Sequence, residues 1–443
     1  MLRAFVLVLL GGAACAPDPA SLSPANTRDE TRPSAAVAAN EGDALAISAN
    51  IQGAHTPFGT VIDPVYATGD SLSPDFWTLV GYSRAADAAI WTGHYLAAES
   101  YRYRVSGSAD ALANVQKELD AITALTSIAG TGVLARFTAP ASSPWTAGIV
   151  TGEAQHGIYE GTWNGETQCW LGNTSRDQYT GVFFGLSVAY ESVGNGRMKR
   201  QIRDAVTRLL DFLIANGWNV VMPPKPTLTV CPEGTAYDAI STTFLQRPDQ
   251  RLAFLQIGRQ VNPSRFGALY RAERAAHAAT VSLPIEAECQ DPHGSYYKFN
   301  LDHANLFHLL RLEEATSPYR VFYANAYDVL RACTGSHQNA HFNMIDHALR
   351  GADAARDEET RTLLSLWLER PRRDYFRDVS DRYPVCGDRS CVPIAVNDRV
   401  NTDFLWQRSP FQLRGGKAGT IETAAIDYIL PYWMARYYGV VTG

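Results

Sequence analysis

Apolar residues recur at spacings of three and four along most of the chain, the pattern of helices that bury one face. About eleven segments show it: 75–105, 110–128, 176–193, 197–216, 249–261, 265–279, 301–314, 318–333, 343–352, 358–368 and 421–438. The connecting segments are rich in glycine and proline, and no convincing run of alternating strands occurs. We therefore predict a single all-α domain over residues 46–443, with at most a small β-hairpin of residues 220–222 and 228–230.

Aromatic-rich helices alternate loosely with more charged ones. Segments 75–105 and 176–193 are aromatic, whereas 110–128 is plain and 197–216 carries its charges on one side. An inner ring of fully buried helices inside an outer ring of amphipathic helices would produce this alternation. Twelve helices in roughly 395 residues fit such an arrangement.

The first fifteen residues have the pattern of an export signal. Arg3 precedes an apolar run over residues 4–10, and small residues then lead to Cys15. This resembles a bacterial lipoprotein signal with Cys15 as the lipid-bearing residue, and an ordinary cleaved signal peptide is the alternative. Residues 16–45 lack aromatics and are rich in Pro, Ser, Ala and charge, which predicts a disordered tether. We expect an exported protein, lipid-anchored in the bacterial cell envelope, that meets the membrane only through this lipid.

Six cysteines remain after Cys15, and an even number in an exported protein favours disulfides. Cys386 and Cys391 bracket a short loop and form the best-supported pair. Chain order suggests the pairs Cys169–Cys231 and Cys289–Cys333. Zinc is the competing interpretation, but the chain contains no CxxC pair.

Composition narrows the classes of partner. Hydrophobic residues make up 46% of the chain, enough for a large core, and the formal charge of −6 argues against nucleic acid. The aromatic content of 11%, with 21 Tyr and 9 Trp, offers flat apolar faces with polar handles. We expect a monomer that binds a carbohydrate or another small polar ligand.

Four runs of residues resemble a group of exported bacterial proteins whose helical pattern is similar to the (α/α)6 toroid of six-hairpin glycosidases. These runs are IWTGHYLAAESYRYRVSG (90–107), NTSRDQYTGVFFGLSVAYE (173–191), DFLWQRSPF (403–411) and DYILPYWMARYYG (427–439). The resemblance implies an (α/α)6 toroid of about twelve helices with a central pocket. Proteins of this type include glycoside hydrolases, polysaccharide lyases and epimerases, and others only bind their ligands.

Two groups of candidate site residues lie on predicted helices. Asp87, Trp91 and His94 share one helix face, where an acid, a flat ring and an imidazole would suit a sugar; a buried polar cluster is the alternative. A second group, Arg176, Asp177 and Tyr179, lies at the start of the predicted helix 176–193. The alternative is that Asp177 only forms a capping box with Thr174.

Two further groups lie near the end of the chain. Asp403, Trp406 and Arg408, with an intervening glutamine, crowd a loop-like segment that would either build a pocket or plug the centre of the fold. Asp427 lies in a very apolar helix, where it would be an acid of raised pKa or, more simply, the partner of an arginine.

No motif predicts a metal or a cofactor. His337 and His341 have the spacing of a helical zinc pair, but the glutamate of HExxH is missing. GxSxG, GxxxxGK[ST] and a helix-opening GxGxxG are absent as well.

These observations favour a carbohydrate-active enzyme that cleaves glycosidic bonds. Hydrolysis needs two carboxylates, and the candidates are Asp177 and Asp87, with Asp427 in reserve. Trp91, Tyr179 and Trp406 would stack on sugar rings, and arginines 176 and 408 would hold polar or anionic groups. A uronate lyase would instead use His94 and Tyr179 beside Arg176. The rival is a non-catalytic glycan-binding or structural surface lipoprotein.

Overall fold

A computed structural model describes residues 39–294, 296–401 and 406–442, all within one compact unit. Helix accounts for 54% and strand for 13% of these residues. The prediction of an all-α toroid is therefore wrong, because four small antiparallel sheets accompany the helices. The predicted signal with Cys15, most of the predicted tether, and Asp403 lie outside the described residues.

The helices follow one another along nearly the whole described chain. They are α1 Glu41–Asn50, α2 Ala88–Ser106, α3 Ala109–Ser127, α4 Thr146–Gly152, α5 Arg176–Ser192, α6 Gly196–Ala215, α7 Pro248–Val261, α8 Pro263–His277, α9 Ser282–Cys289, α10 Tyr297–Leu312, α11 Arg320–Thr334, α12 Ala340–Arg350, α13 Ala354–Leu368 and α14 Ile426–Tyr437. Helix α1 begins inside the segment predicted as a tether, because Asn40 and Asp43 form a capping box.

The strands are short and form sheets of two to four strands. They are β1 Asp63–Tyr66, β2 Leu79–Ser83, β3 Phe137–Pro140, β4 Ile158–Trp163, β5 Glu166–Leu171, β6 Asn219–Val221, β7 Ile240–Thr243, β8 Arg373–Asp378, β9 Val385–Cys386, β10 Arg389–Ser390 and β11 Arg414–Glu422. The sheets have the strand orders β2-β1-β11-β8, β3-β5-β4, β6-β7 and β10-β9.

Three segments differ from the predicted elements. Strand β2 occupies the start of the segment predicted as the helix 75–105, and β11 occupies the start of 421–438. The predicted hairpin is wrong in its second strand, because β6 pairs with β7 and not with residues 228–230. Of these strands, only β11 has a partner from a distant part of the chain, since Val65 of β1 pairs with Ile421 of β11.

The most buried helices pack on one another through the centre of the molecule. Helix α2 contacts α5 and α14, α5 contacts α7 and α10, and α12 contacts α10 and α14. The α2–α5 contact is a backbone contact: a Cβ on Gly93 would lie 2.0 Å from the Gly181 carbonyl oxygen, and one on Gly185 would lie 2.1 Å from that of Gly93. These three glycines therefore bring α2 and α5 closer than side chains would allow.

The structure confirms all three predicted disulfides. The S–S distances are 2.07 Å for Cys169–Cys231, 2.35 Å for Cys289–Cys333 and 2.05 Å for Cys386–Cys391. Such bonds are compatible with an exported protein. Across the described residues, no helix is both long enough and apolar enough to cross a bilayer.

Candidate functional site

A cavity of about 340 Å³ lies where α2, α5 and α10 begin. Its lining residues are Asp87, Ser175, Arg176, Asp177, Thr242, Tyr297, Gln407 and Arg408. Four candidates from three separate sequence segments thus face one space: two carboxylates and two guanidiniums. We call this space the carboxylate cavity.

The close packing of α2 and α5 places the two carboxylates on the same wall. Asp87 immediately precedes α2, and Asp177 is the second residue of α5. Both side chains therefore lie beside the N-terminal ends of helices whose backbones touch at Gly93 and Gly181. The fold brings together two acids that are 90 residues apart in the sequence.

Gln178 joins the two carboxylates. Its side-chain amide donates to Asp87 Oδ1 at 3.0 Å, and its backbone N–H donates to Asp177 Oδ1 at 3.0 Å. Its Oε1 accepts the backbone N–H of Ile90 at 2.9 Å, so the fully buried glutamine is held on both helices. Among the described residues, neither carboxylate Oδ2 accepts a hydrogen bond, so each acid keeps one oxygen for a ligand.

A short chain of hydrogen bonds from Arg136 through Ser175 holds Asp177 in place. The Ser175 hydroxyl donates to Asp177 Oδ1, and Arg136 Nη2 donates to that hydroxyl at 2.8 Å. Arg136 Nη1 also donates to the Ala86 carbonyl at 2.8 Å, next to Asp87. The capping box considered from the sequence does not form, because Ser175 is the N-cap and Thr174 donates to the Leu134 carbonyl.

The environment of Asp87 favours its protonated form. Burial, followed by the negative charge of Asp177, raises the pKa of the Asp87 carboxyl to about 7, although Arg136 and Arg408 act in the opposite direction. Below about pH 7 Asp87 therefore holds a proton, and the side chain of Asp177 stands beside it on one cavity wall. Pairs of this kind, in which one acid is held neutral, are typical of general acid–base sites.

Glu153 and His156 border this pair from the segment before β4. Burial raises the pKa of Glu153, and burial together with Arg136 lowers the pKa of His156 to about 4. The charge of Glu153 also contributes to the raised pKa of Asp87. Glu153 thus acts on Asp87 through its charge, and neither Glu153 nor His156 is a lining residue of the cavity.

The sequence analysis missed several residues of the site, namely Arg136, Ser175, Gln178, Glu153, His156, Thr242 and Tyr297. Ser175 and Gln178 directly flank residues already selected, so adjacency could have found them. Arg136 carries no sequence signal, because its partners lie 37 to 50 residues away in the chain.

The three aromatic residues expected to stack on sugars are all buried, and none of them lines the carboxylate cavity. Tyr179 is fully buried and its hydroxyl accepts the Leu134 N–H, while Trp406 stacks on His341 with ring centroids 4.1 Å apart. Trp91 lines a separate small space beside Asp427. Tyr297, which is 37% exposed, is the aromatic residue among those that line the carboxylate cavity.

His94 and Asp427 lie outside the carboxylate cavity. His94 is fully buried between Phe184 and Trp406, at ring-centroid distances of 5.2 and 5.1 Å, and burial lowers its pKa to about 4. Asp427 accepts hydrogen bonds from Trp367 Nε1 at 3.1 Å and Arg370 Nη1 at 3.3 Å. The structure therefore gives Asp427 the role of a buried salt-bridge partner.

A cavity of about 520 Å³ beside α3 also contains carboxylates. Glu118, Asp120 and Glu166 line it, and each accepts a hydrogen bond from a neighbouring side chain. Among the described residues, no side chain bridges two of them, in contrast to Gln178 at the carboxylate cavity. We therefore place the candidate active site at Asp87 and Asp177.

Within the described ranges, no group of three or more His, Cys, Asp or Glu side chains is arranged to hold a metal ion. His337 instead contacts the Tyr296 hydroxyl at 3.2 Å, and His341 packs on Trp406. Comparisons of the chain with known protein families, with curated proteins and with solved structures found no match.

Proposed function

We propose that this protein is an exported enzyme that hydrolyses a glycosidic bond at the carboxylate cavity. The observation that carries the proposal is the pair Asp87 and Asp177, joined by Gln178 on one cavity wall, with the pKa of Asp87 raised to about 7. Two carboxylates in different protonation states are what glycoside hydrolysis requires.

Asp87 is the general acid in this proposal. It gives its proton to the glycosidic oxygen as the bond from that oxygen to the anomeric carbon breaks. Asp177 either takes a proton from the water that attacks this carbon or attacks it directly, in which case water later releases the sugar. In both routes one water is consumed, and the anomer first released identifies the role of Asp177.

The remaining residues that line the carboxylate cavity have side chains that can contact a sugar. Tyr297 offers a partly exposed aromatic face, and Thr242 and Gln407 offer groups that donate and accept hydrogen bonds. They take the place of the buried aromatics in the sequence-based hypothesis.

Hydrolysis is favoured over a uronate lyase mechanism. The lyase hypothesis used His94 and Tyr179 as bases, but both are fully buried. Burial raises the pKa of Tyr179 and lowers that of His94 to about 4. A base that removes a substrate proton must reach the substrate, and neither residue lines the cavity.

We also propose that Cys15 carries a lipid that anchors the protein in the bacterial cell envelope. The approach of small residues to this cysteine and the three disulfides support export and anchoring. Labelling cells with palmitate should mark the protein, and a Cys15→Ser variant should lose the label. A labelled variant would contradict the anchor.

The test of the enzymatic proposal is a screen of the purified protein against a polysaccharide panel, with products detected by mass spectrometry. Asp87→Asn and Asp177→Asn should each reduce cleavage at least 100-fold, because each removes a group that transfers a proton or attacks carbon. Asp110→Asn is the matched control, since Asp110 is an exposed carboxylate in the first turn of α3. We expect wild-type activity from it.

The kcat/KM of an active substrate should fall above about pH 7, where Asp87 loses its proton. Binding of a glycan without any product would favour the non-catalytic alternative. Neither binding nor cleavage across the panel would refute the carbohydrate proposal.

A further inference from the structure

A second cavity, of about 610 Å³, adjoins the carboxylate cavity. Arg176 lines both cavities, and the consecutive residues Tyr297 and Lys298 at the start of α10 line the first and the second respectively. The two spaces thus share a boundary made by the beginnings of α5 and α10. We call the two adjoining cavities together the extended cleft.

Arg176 and Lys298 are two of the cations that line this cleft, and Arg176 shares the first cavity with Asp87 and Asp177. Among the described residues, the side chains of Arg176 and Lys298 form neither an ion pair nor a hydrogen bond. Both residues stand in the first turn of a helix, where the helix dipole disfavours a positive charge. No described side chain holds either cation, so both are available to bind an anion that enters the cleft.

The other charged residues of the second cavity are largely paired. Arg247 pairs with Asp249, Glu288 and Asp302. Arg251 and His277 both face Glu273, at 2.6 and 3.7 Å. Arg247 and Arg251 are thus already paired with carboxylates, so the lining cations without an ion pair among the described residues are Arg176 and Lys298.

The second cavity also presents apolar surface to a ligand. Leu245 and Leu283 line it and are 53% and 57% exposed, and Pro284 lies beside them. Apolar side chains next to cations suit a sugar ring with an acidic substituent. The C–H face of the ring can pack on the apolar side chains, and the acidic group can bind the cations.

We infer that the substrate is an extended acidic glycan that occupies both cavities. This inference rests on the proposed function and adds its substrate class. Arg176 binds the acidic group nearest the bond that is cleaved, and Lys298 binds another group further along the chain. Carboxylates and sulfates share the anionic oxygens that these cations recognise.

The experiment measures binding of three sets of oligosaccharides of equal length: neutral, carboxylated and sulfated. Calorimetry with the Asp177→Asn variant avoids turnover, and cleavage by the wild type is followed in parallel. The wild type should cleave at least one acidic set, and acidic ligands should bind more weakly at high ionic strength. Comparison of the carboxylated and sulfated sets identifies the acidic group.

Lys298→Met should weaken binding of the preferred acidic oligosaccharide about tenfold, because one charge-assisted contact is lost. Arg176→Gln should weaken it by a similar or larger factor and should also raise KM. Lys417→Met is the matched control, since Lys417 is an exposed lysine on β11 without an ion pair among the described residues, and it should bind like the parent.

The outcomes separate this inference from the function on which it rests. Cleavage of neutral glycans alone would overturn the acidic substrate and leave the hydrolase intact. Cleavage of acidic glycans with Lys298→Met indistinguishable from Lys417→Met would overturn the second cavity as a binding region. No cleavage and no binding of any set would refute the proposed function itself.

Discussion

Gln178 donates one hydrogen bond to each acid, accepts a third from the Ile90 N–H, and is itself shielded from solvent. Its side chain satisfies a backbone N–H in the first turn of α2 and at the same time directs Asp87. A residue that does not line the cavity thus fixes the position of the proposed acid. We regard Gln178 as a positioning residue.

This role predicts different effects for two substitutions. Gln178→Met leaves the Ile90 N–H and Asp87 Oδ1 without their partner and should cost about 1–3 kcal/mol in unfolding free energy. Gln178→Glu keeps an acceptor for Ile90 but turns an oxygen toward Asp87, so like charges should raise the pKa of Asp87 further.

The measurement is the pH dependence of kcat/KM beside urea unfolding. We expect the alkaline limb to move to higher pH in Gln178→Glu. If this limb stays in place while stability falls, Gln178 only supports the structure.

Among the elements, the contact between α2 and α5 sets the distance between the two acids. A Cβ on Gly93 would lie 2.0 Å from the Gly181 carbonyl oxygen, and one on Gly181 would lie within 2.6–2.8 Å of three Ile90 atoms. The obstacles are mostly backbone atoms, which cannot rotate away. The helices must therefore separate to accept even one methyl group.

Gly93→Ala should accordingly lower stability by about 1–3 kcal/mol and reduce activity more than this loss explains, because the acids move apart. Gly148→Ala in α4 is the matched control, since a Cβ there meets no atom within 4 Å. Removing a helical glycine in open space should stabilise by up to about 1 kcal/mol. Denaturant unfolding and kcat of both variants test this, and full activity in Gly93→Ala would contradict it.

For the whole molecule, the raised pKa of Asp87 makes stability depend on pH. A carboxyl group whose pKa rises on folding favours the native state when protonated. Its contribution is present below the unfolded pKa of about 4 and is lost as pH rises through about 7. Asp87→Asn removes this titration and keeps a partner for Gln178.

The variant should therefore be more stable than the wild type at pH 8.5, by on the order of 2 kcal/mol, and the difference should shrink at pH 5. Urea unfolding at both pH values measures it, with Asp110→Asn as the control. A difference that is the same at both pH values would show that Asp87 does not titrate in this range.

Much of the helical part of the fold follows from spacing along the sequence, since α3, α5 and α6 begin and end within two residues of the predicted bounds. Disulfide pairing followed chain order. The four-stranded sheet could not be predicted in this way, because β1 pairs with β11, more than 300 residues away, and local periodicity does not indicate that partner.

The candidate site could be predicted only in part. Asp87, Arg176, Asp177 and Arg408 were recognisable as polar groups beside apolar runs, and the structure brings them to one cavity. The burial of Trp406 and Tyr179 could not be predicted, because a sequence does not show whether an aromatic side chain contacts a ligand or fills a core. Only the packing of the folded chain shows whether such a side chain contacts a ligand or fills the core.

The backbone contact at Gly93, Gly181 and Gly185 also affects how a map of mutational tolerance should be interpreted. In a saturation mutagenesis experiment scored by activity, these glycines should be as intolerant as the acids, although none of them lines the carboxylate cavity. Activity scores alone would then extend the apparent active site several turns along α2 and α5. Scoring abundance and activity together would separate the residues that perform the reaction from those that set the spacing between the acids.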